Sequence, residues 1–354
     1  MSTHVACAPG RVNLIGDHTD YTGGLVLPMA IDRWTQIAFS AHDTIELTSD
    51  DEADPVSLPL EVDDPASVQP GWGRYVAGVV AELRPSAGIR GRVSTDIPIG
   101  AGLSSSAALE VAVALALGAQ MSPVALAQLC RRAEHRASGV PSGIMDQLCI
   151  AAAVAGHALM IDCGELTTTP VAMPEDAVVI VKFVAHRTLI GSPYADRVAE
   201  CAAAERAIGA LRSASLDDVS SIADPVVRAR AGHVVAENAR VRQFADALQD
   251  GDLITAGQVM TDGHASLRDL YCTSTPVMDA AVADAVAQPG VYGARMTGGG
   301  FGGCIVILAE PGTPIDGWVV RPVDGARLSP ATSDPAQFSQ PPSHQPNLHE
   351  EDHR

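Results

Sequence analysis

The sequence predicts an α+β protein of two domains. Its 354 residues are enough for about two domains, each able to bury an ordinary core. Hydrophobic residues make up 47% of the chain and glycine occupies 32 positions, as is typical of a globular protein. Because only 4% of the residues are aromatic, valine, leucine, isoleucine and alanine must build the core. Helix and strand patterns alternate along the chain, and we place the division into halves near residue 165.

The first half begins with a polar loop and continues with alternating strands and helices. Apolar periodicity predicts strands over residues 25–31, 34–39, 90–95 and 159–162, and helices over 74–83, 104–117 and 123–137. The helix over 104–117 is rich in alanine and leucine and has the strongest pattern. The next helix has a clear start signal, because Pro123 follows Ser122.

The second half has a strand over 177–184, a helix over 195–208 and a helical region over 225–287 with breaks near Gly251 and Pro276. Short strands over 293–297 and 304–309 flank a glycine cluster. We therefore expect domains at 1–165 and 166–328. Residues 329–354 contain many prolines and almost no apolar side chains, so we expect a disordered tail there.

Composition excludes several classes of function. A net charge of −19 argues against nucleic acid or an anionic membrane as a partner, since both require a basic surface. The seven cysteines are scattered and never spaced C-x-x-C, and no signal-peptide pattern opens the chain. These features predict a cytoplasmic protein with reduced thiols. Lys182 is the only lysine, so the P-loop and protein-kinase motifs are absent, and any phosphate must be bound by arginine and backbone amides.

The segment APGRVNLIGDHTDY, residues 8–21, concentrates polar groups directly after the N-terminus. Only three of its positions carry large apolar side chains, so it reads as a strand that enters a loop. Charged loops next to glycine often bind ligands. A solvated turn in which Asp17 and Asp20 cap backbone amides is the alternative.

The segment PIGAGLSSSAA, residues 98–108, joins a predicted strand to the strongest helix. Three serines after a Gly-x-Gly turn lie where the helix amides and macrodipole favour an anion, so we expect phosphate there. A helix that only uses Ser104 as its N-cap is the alternative. A second glycine-rich loop, residues 298–303, has five glycines in six positions, which indicates close approach of a ligand to the backbone.

The segment AEHRASGVPSGIMDQ, residues 133–147, contains two carboxylates that could take part in a reaction. Glu134 lies late on a predicted helix, and Asp146 follows a turn rich in glycine, proline and serine. Taken alone, Asp146 could equally be the cap of the next helix.

Together and in this order, these segments resemble the GHMP family of small-molecule kinases, and the opening segment resembles its galactose-phosphorylating members. That segment matches their sugar-binding signature at Gly10, Arg11, Asn13, Ile15, Gly16, His18, Asp20 and Tyr21. PIGAGLSSSAA matches the ATP motif of the family, SGIMDQ the segment with the catalytic aspartate, and GARMTGGGFGG, which includes Arg295, the third motif. The resemblance spans residues 8–308. It implies a ribosomal protein S5 domain 2-like N-terminal half and a ferredoxin-like C-terminal half.

The implied activity is ATP-dependent phosphorylation of the anomeric hydroxyl of galactose. Asp146 would accept or orient the hydroxyl proton, and Arg11 would neutralise the transferring phosphoryl group and keep Asp146 ionised. The implied sugar-binding residues are Asp17, His18, Thr19, Asp20 and Tyr194. The implied ATP-binding residues are Gly100, Ala101, Gly102, Leu103, Ser104, Ser105 and Ser106, with Ser49 near the nucleotide. Ser106 and Glu134 would hold Mg²⁺.

Two departures from the family pattern affect the expected sugar preference. Position 17 is usually glutamate in these kinases, and Asp17 is one methylene shorter. The usual turn after the strand that ends near Val184 is also replaced by the sequence from Lys182 to Ala185. The alternatives are therefore a related kinase for galacturonate or N-acetylgalactosamine, and a non-catalytic sensor of galactose and ATP. We expect a monomer that binds only these small molecules.

Overall fold

The strands of this chain form two separate sheets. The computed structural model describes residues 4–186 and 193–330, and the statements below refer to these residues. The strands are β1 (His4–Ile15), β2 (Leu25–His42), β3 (Ile45–Ser49), β4 (Val56–Leu58), β5 (Gly88–Thr95), β6 (His157–Asp162), β7 (Thr167–Ala172), β8 (Val178–Ala185), β9 (Val291–Met296), β10 (Gly303–Ala309), β11 (Trp318–Val320) and β12 (Arg327–Pro330).

The first sheet has the order β12-β1-β2-β5-β3-β4, and β6 connects β2 to β7. Its pairs are antiparallel except for β3 and β5. The second sheet has the order β11-β8-β10-β9 and is antiparallel throughout. The mixture of these sheets with helices confirms the predicted α+β class.

The helices are α1 (Gly73–Leu83), α2 (Ser105–Ala116), α3 (Pro123–Ser138), α4 (Met145–Ala152), α5 (Tyr194–Ile208), α6 (Leu216–Ser220), α7 (Pro225–Gln249), α8 (Leu253–Ser266) and α9 (Pro276–Val286). A π-helical turn, Leu267–Tyr271, extends α8. The start of α3 is confirmed, because the Ser122 hydroxyl accepts from the Ala125 amide and Pro123 is the first helical residue. None of the helices described here is long and apolar enough to cross a membrane.

The two strands predicted over 25–31 and 34–39 are one strand, β2, which pairs with β1 along most of its length. The pairing register shifts between Pro9 and Gly10, opposite the end of the first predicted segment. An irregularity of this kind interrupts the alternation of apolar residues without ending the strand. Strand β1, which lies between β12 and β2, carries Arg11 into the first sheet.

The predicted domain limits do not follow the sheets. The limit at residue 165 cuts the hairpin of β6 and β7, in which Asp162 pairs with Thr167. The last described residues also return to the first sheet, because β12 pairs with β1 through Ser329 and Pro330. These two residues were predicted as the start of the tail, and residues 331–354 lie outside the described part of the chain. Backbone pairing over long sequence separations leaves no local signal, which explains both differences.

Three helices, α2, α3 and α4, pack against one another in the core. Helix α2 is apolar on nearly all sides and packs against β1 and β2. Helix α3 packs against α1, α2 and α4. The first turn of α4 therefore faces the loop that precedes α2. This arrangement brings Ser104 into contact with Asp146, which lies 42 residues further along the chain.

Candidate active site

A cleft of about 830 Å³ collects most of the residues that the sequence predicted. Those lining it are Arg11, Asp17, His18, Asp20, Ser49, Gly100, Gly102, Ser104, Ser105, Ser106, Glu134, Asp146 and Tyr194. They come from the part of the chain between Arg11 and Tyr194 and from different elements of the fold. The cleft also has glycines 298 and 299 from the second glycine-rich loop on its wall.

Asp146 lies in the first turn of α4 and is held by two side chains. The Arg11 guanidinium donates from Nε to Oδ1 at 2.8 Å and from Nη2 to Oδ2 at 2.7 Å. Its Nη1 donates to the Gly102 carbonyl at 2.8 Å, which fixes the plane of the guanidinium. The pair is buried on the arginine side and open to the cleft on the aspartate side, with side-chain exposures of 4% and 29%. The carboxylate of Asp146 therefore faces the cleft in a fixed orientation.

Ser104 is the second partner of Asp146. It occupies the N-cap position of α2 with φ +63°, but its side chain makes no capping hydrogen bond. Its hydroxyl instead donates to Oδ2 of Asp146 at 2.6 Å. The alternative in which Ser104 serves only as the N-cap of α2 is therefore wrong, because its hydroxyl contacts the Asp146 carboxylate.

Glu134 projects from α3 toward the same loop. Its Oε2 accepts from the Ser142 hydroxyl at 2.7 Å and from Gln147 Nε2 at 3.0 Å, and its Oε1 lies 3.4 Å from the Ser106 hydroxyl. Burial raises the pKa of Glu134. The side chains that hydrogen-bond to Glu134 are neutral serine and glutamine groups, so a cation beside this buried carboxylate would be favourable.

Asp17 is paired with protein groups on both of its oxygens. Its Oδ2 accepts from Arg295 Nη2 at 2.8 Å, and its Oδ1 accepts from the Gly298 amide at 2.8 Å. Arg295 also donates to Glu237 at 2.8 Å, and the two acidic side chains and the arginine are almost completely buried. Burial raises the pKa of Asp17 and Arg295 opposes that rise. The resemblance named Arg295 as part of a motif, but its pairing with Asp17 had no sequence signal.

His18, Tyr194 and Asp20 form the neighbouring part of the cleft. The rings of His18 and Tyr194 have centroids 5.4 Å apart, and His18 Nδ1 lies 2.9 Å from the Tyr21 hydroxyl. His18 has φ +68°, so the loop turns sharply at this residue. Burial and, secondly, the charge of Asp146 raise the pKa of Asp20 to about 7.

Three predicted site residues do not line the cleft. The Thr19 hydroxyl lies 2.8 Å from the Gly16 carbonyl oxygen and 2.6 Å from that of Leu25, and its side chain is fully buried. Ala101 and Leu103 face the core, because glycines alternate with them in the loop. The Leu103 carbonyl accepts from the Arg11 amide at 3.1 Å. These side chains shape the loops, so their predicted contacts with substrate or ATP are not supported.

Sequence reasoning missed several residues of the cleft. Trp72, Arg74, Tyr75, Ser142 and Gln147 all line it. The first three precede or begin α1, and their spacing shows only an ordinary helix start. Ser142 and Gln147 lie inside the quoted segment around Asp146, so that motif could have indicated them.

Three family models match the chain in the order of its motifs. They describe the galactokinase galactose-binding signature over residues 1–41, the N-terminal domain of GHMP kinases over 74–156 and the C-terminal domain of GHMP kinases over 244–316. A mevalonate kinase structure has a TM-score of 0.66 at 21% identity and covers 90% of this chain and 99% of its own, which shows a shared fold. The fold and the site therefore define a GHMP kinase.

Two further similarities narrow the class. Human galactokinase is 43% identical over 326 residues, which are 86% of this chain and 83% of the relative. The crystal structure of Lactococcus lactis galactokinase complexed with galactose superposes with a TM-score of 0.85 at 30% identity, covering 92% of this chain and 95% of the other. The chain belongs to the galactokinase family.

Proposed function

We propose that this chain transfers the γ-phosphoryl group of ATP to the anomeric hydroxyl of galactose, giving galactose 1-phosphate and ADP. The observation that carries the proposal is the bidentate Arg11–Asp146 pair at the cleft, between the sugar-signature residues and the loop before α2. The name of the relatives supports galactose as the acceptor. Related sugars and a non-catalytic role are the less favoured alternatives.

The sugar would bind against His18, Asp20 and Tyr194. An aromatic ring next to charged acceptors suits a sugar, which presents hydroxyl groups on one side and carbon-bound hydrogens on another. Asp17 lies deeper, and its carboxylate has lone pairs beyond those used by Arg295 and Gly298. In this proposal Asp17 therefore reaches the sugar from a fixed position, whereas Asp20 is closer to solvent.

Asp146 would accept the proton of the anomeric hydroxyl as the new bond from oxygen to phosphorus forms. The bond between the γ-phosphorus and the bridging oxygen breaks, and ADP leaves with that oxygen. Arg11 holds the carboxylate in place and lies close enough to offset charge on the phosphoryl oxygens. Because the two hydrogen bonds from Arg11 fix the carboxylate, orientation of the hydroxyl contributes alongside proton transfer.

ATP would lie along the loop before α2, with Gly100, Gly102, Ser105 and Ser106 against its phosphates. The first amides of α2 are free of helix hydrogen bonds and point toward this loop. Gly102 has φ +85° and exposes the backbone to close approach. Ser49, at the end of β3, lies on the same cleft and would be near the nucleotide. This arrangement needs no lysine.

Magnesium would be held by Glu134 and Ser106. A carboxylate and a hydroxyl are oxygen ligands of the kind that Mg²⁺ prefers, and both line the cleft with their oxygens 3.4 Å apart. No cluster of three or more histidine, cysteine or acidic residues that could hold a metal occurs among residues 4–186 and 193–330. Two protein ligands fit an ion that also binds phosphate oxygens and water. When bound, the ion would neutralise phosphate charge.

We further expect the chain to act in the cytoplasm as a monomer. All seven cysteines are unpaired, and six of them are buried. Free thiols are characteristic of a reducing compartment. The sugar and the nucleotide are then its only partners.

The deciding experiment is a coupled ADP-release assay with Mg·ATP and a panel of galactose, galacturonate and N-acetylgalactosamine. We expect galactose to give the highest kcat/KM, and omission of sugar to give only background ADP. A higher kcat/KM for another sugar would replace galactose as substrate. Binding of galactose without ADP release would instead support the sensor.

A further inference from the structure

Tyr271 is a buried tyrosine that lies behind the sugar side of the cleft. Its side chain is fully buried, and it does not line the cleft itself. It is the last residue of the π-helical turn Leu267–Tyr271 that extends α8. The wider turn rotates Tyr271 relative to a continued α-helix, and such turns often occur at functional sites.

The hydroxyl of Tyr271 belongs to a chain of hydrogen bonds that ends at His18. The Tyr271 and Tyr21 hydroxyl oxygens are 2.6 Å apart, and the Tyr21 hydroxyl lies 2.9 Å from His18 Nδ1. On the other side, Cys201 Sγ lies 3.0 Å from the Tyr271 hydroxyl. This chain of hydrogen bonds holds the imidazole of His18 at Nδ1, the nitrogen that faces the Tyr21 hydroxyl.

The ring of Tyr271 lies between two histidines. Its centroid is 4.8 Å from that of His18 and 4.5 Å from that of His233. His233 in turn lies with Nε2 3.2 Å from the Asp17 carbonyl and with Nδ1 2.8 Å from the Ser266 hydroxyl. Tyr271 thus packs against His18 directly and against Asp17 through His233.

We propose that Tyr271 is a positioning residue for the sugar subsite, which it acts on through Tyr21 and His18. This inference rests on the proposed function, because it takes His18 as a sugar-binding residue. A residue at φ +68° keeps a strained conformation only where its surroundings hold it. Tyr271 supplies part of that support with its ring and part with its hydroxyl.

The two parts can be separated by substitution. Tyr271→Phe keeps the ring between the histidines and removes only the hydroxyl. We expect the KM for galactose to rise about 3- to 10-fold, the range for one lost hydrogen bond between neutral groups. The kcat and the KM for ATP should stay within about twofold of the wild-type values, because neither Asp146 nor the loop before α2 contacts Tyr271.

The experiment compares Tyr271→Phe, Tyr21→Phe and the double variant in the same ADP-release assay. Galactose binding is also measured by calorimetry without ATP. Tyr292→Phe is the matched control, since this tyrosine of β9 is outside the cleft and the chain of hydrogen bonds. Because both tyrosines act through one chain, the double variant should resemble Tyr21→Phe rather than show the product of the two effects.

If the wild-type enzyme phosphorylates galactose and Tyr271→Phe has an unchanged KM and affinity for galactose, the inference about Tyr271 is wrong. The proposed function then stands. Fully multiplicative effects of the two substitutions would also overturn it, because they would show independent roles. If the original enzyme does not phosphorylate galactose, the proposed function fails, whatever the variants do. A lower melting temperature with unchanged KM would mark Tyr271 as a structural residue only.

Discussion

Asp146 shows at the scale of one residue how the fold restricts a carboxylate. One side of its carboxylate is taken by the Arg11 fork and a second contact comes from Ser104. The remaining lone pairs face the cleft. A group held in this way can orient a hydroxyl as well as accept its proton.

We expect Asp146→Asn to keep ATP binding and to lose most turnover. Removing a positioned base costs about 10²- to 10⁴-fold in rate, and asparagine cannot accept from both Arg11 nitrogens in the same geometry. Steady-state kinetics and ATP calorimetry check this. Asp246→Asn, at an exposed position of α7, is the control. A kcat close to the wild-type value would show that Asp146 is not a catalytic residue.

Ser104→Gly tests the second partner of Asp146. Glycine adopts φ +63° without strain, so the substitution removes the hydroxyl and leaves the loop conformation accessible. A hydrogen bond to a charged group is stronger than one between neutral groups, so we expect kcat to fall about tenfold. The measurement is kcat for galactose at saturating ATP. An unchanged kcat would limit Ser104 to a structural role.

Asp20 connects stability to pH. Its pKa in the folded chain is about 7 rather than 3.8, so the folded state holds a proton that the unfolded state releases between these values. The contribution of Asp20 to stability is therefore full below about pH 4 and is lost as the pH rises through 7. Asp20→Asn lacks this loss, because its amide does not titrate.

We expect Asp20→Asn to melt at a higher temperature than the original protein at pH 8, with the difference shrinking as the pH falls toward 4. Thermal unfolding across this range, with Asp246→Asn as control, provides the test. The galactose affinity should fall in the same variant. A difference in melting temperature that does not change with pH would contradict the raised pKa.

At the scale of elements, the turn between α3 and α4 sets the distance between the predicted sugar-binding loop after β1 and the start of α4, which contains Asp146. Gly143 lies in this turn, and a Cβ there would overlap the Asp20 carboxylate. The turn thus brings the strand-loop segment after β1 against the start of α4. Neither segment shows this contact in its own sequence.

Gly143→Ala should therefore displace Asp20 and raise the KM for galactose several-fold, while the KM for ATP changes little. Gly232→Ala is the matched control, because a Cβ at that helical position meets only Val219 Cγ1 at 3.9 Å. Alanine also favours the helix there. Kinetics for both substrates distinguish the two. An equal effect on both KM values would indicate general disruption of the cleft.

The sequence predicted an element well where a short motif marks its start. The start of α3 follows from one serine and one proline, and the N-terminus of α2 was placed within a residue. The single strand β2 was divided in two, and the short strands β3, β4, β7, β11 and β12 were not predicted. Short strands are stabilised by partners distant in sequence, so their own few residues carry little information.

At the scale of the molecule, the end of the described chain returns to its beginning. Residues 321–326 bond to the first sheet and to α4, through contacts such as the Val323 amide on the Ala30 carbonyl. Strand β12 then pairs with β1, and the Arg327 guanidinium carbon lies 4.7 Å from the centre of the Trp34 ring. Residues 321–330 thus cover an edge of the sheet that carries Arg11.

We expect a chain shortened to end at Pro330 to keep the melting temperature and activity of the full chain. A chain that ends at Ala326 lacks β12 and the contact of Arg327 with Trp34, so it should melt at a lower temperature. Both chains are compared by thermal unfolding and by the galactose assay. Equal melting temperatures for the two shortened chains would show that β12 contributes nothing measurable to stability.

The sequence by itself determined which segments carry the chemistry. Residue types in three short motifs indicated phosphoryl transfer, because glycine turns, helix starts and positioned carboxylates have local signatures. Only the tertiary structure decided how those segments meet. The contact of Ser104 with Asp146, the pairing of Asp17 with Arg295 and the packing of Tyr271 against His18 join residues far apart in the chain. Their distances depend on the packing of whole helices and sheets, and no local pattern encodes that packing.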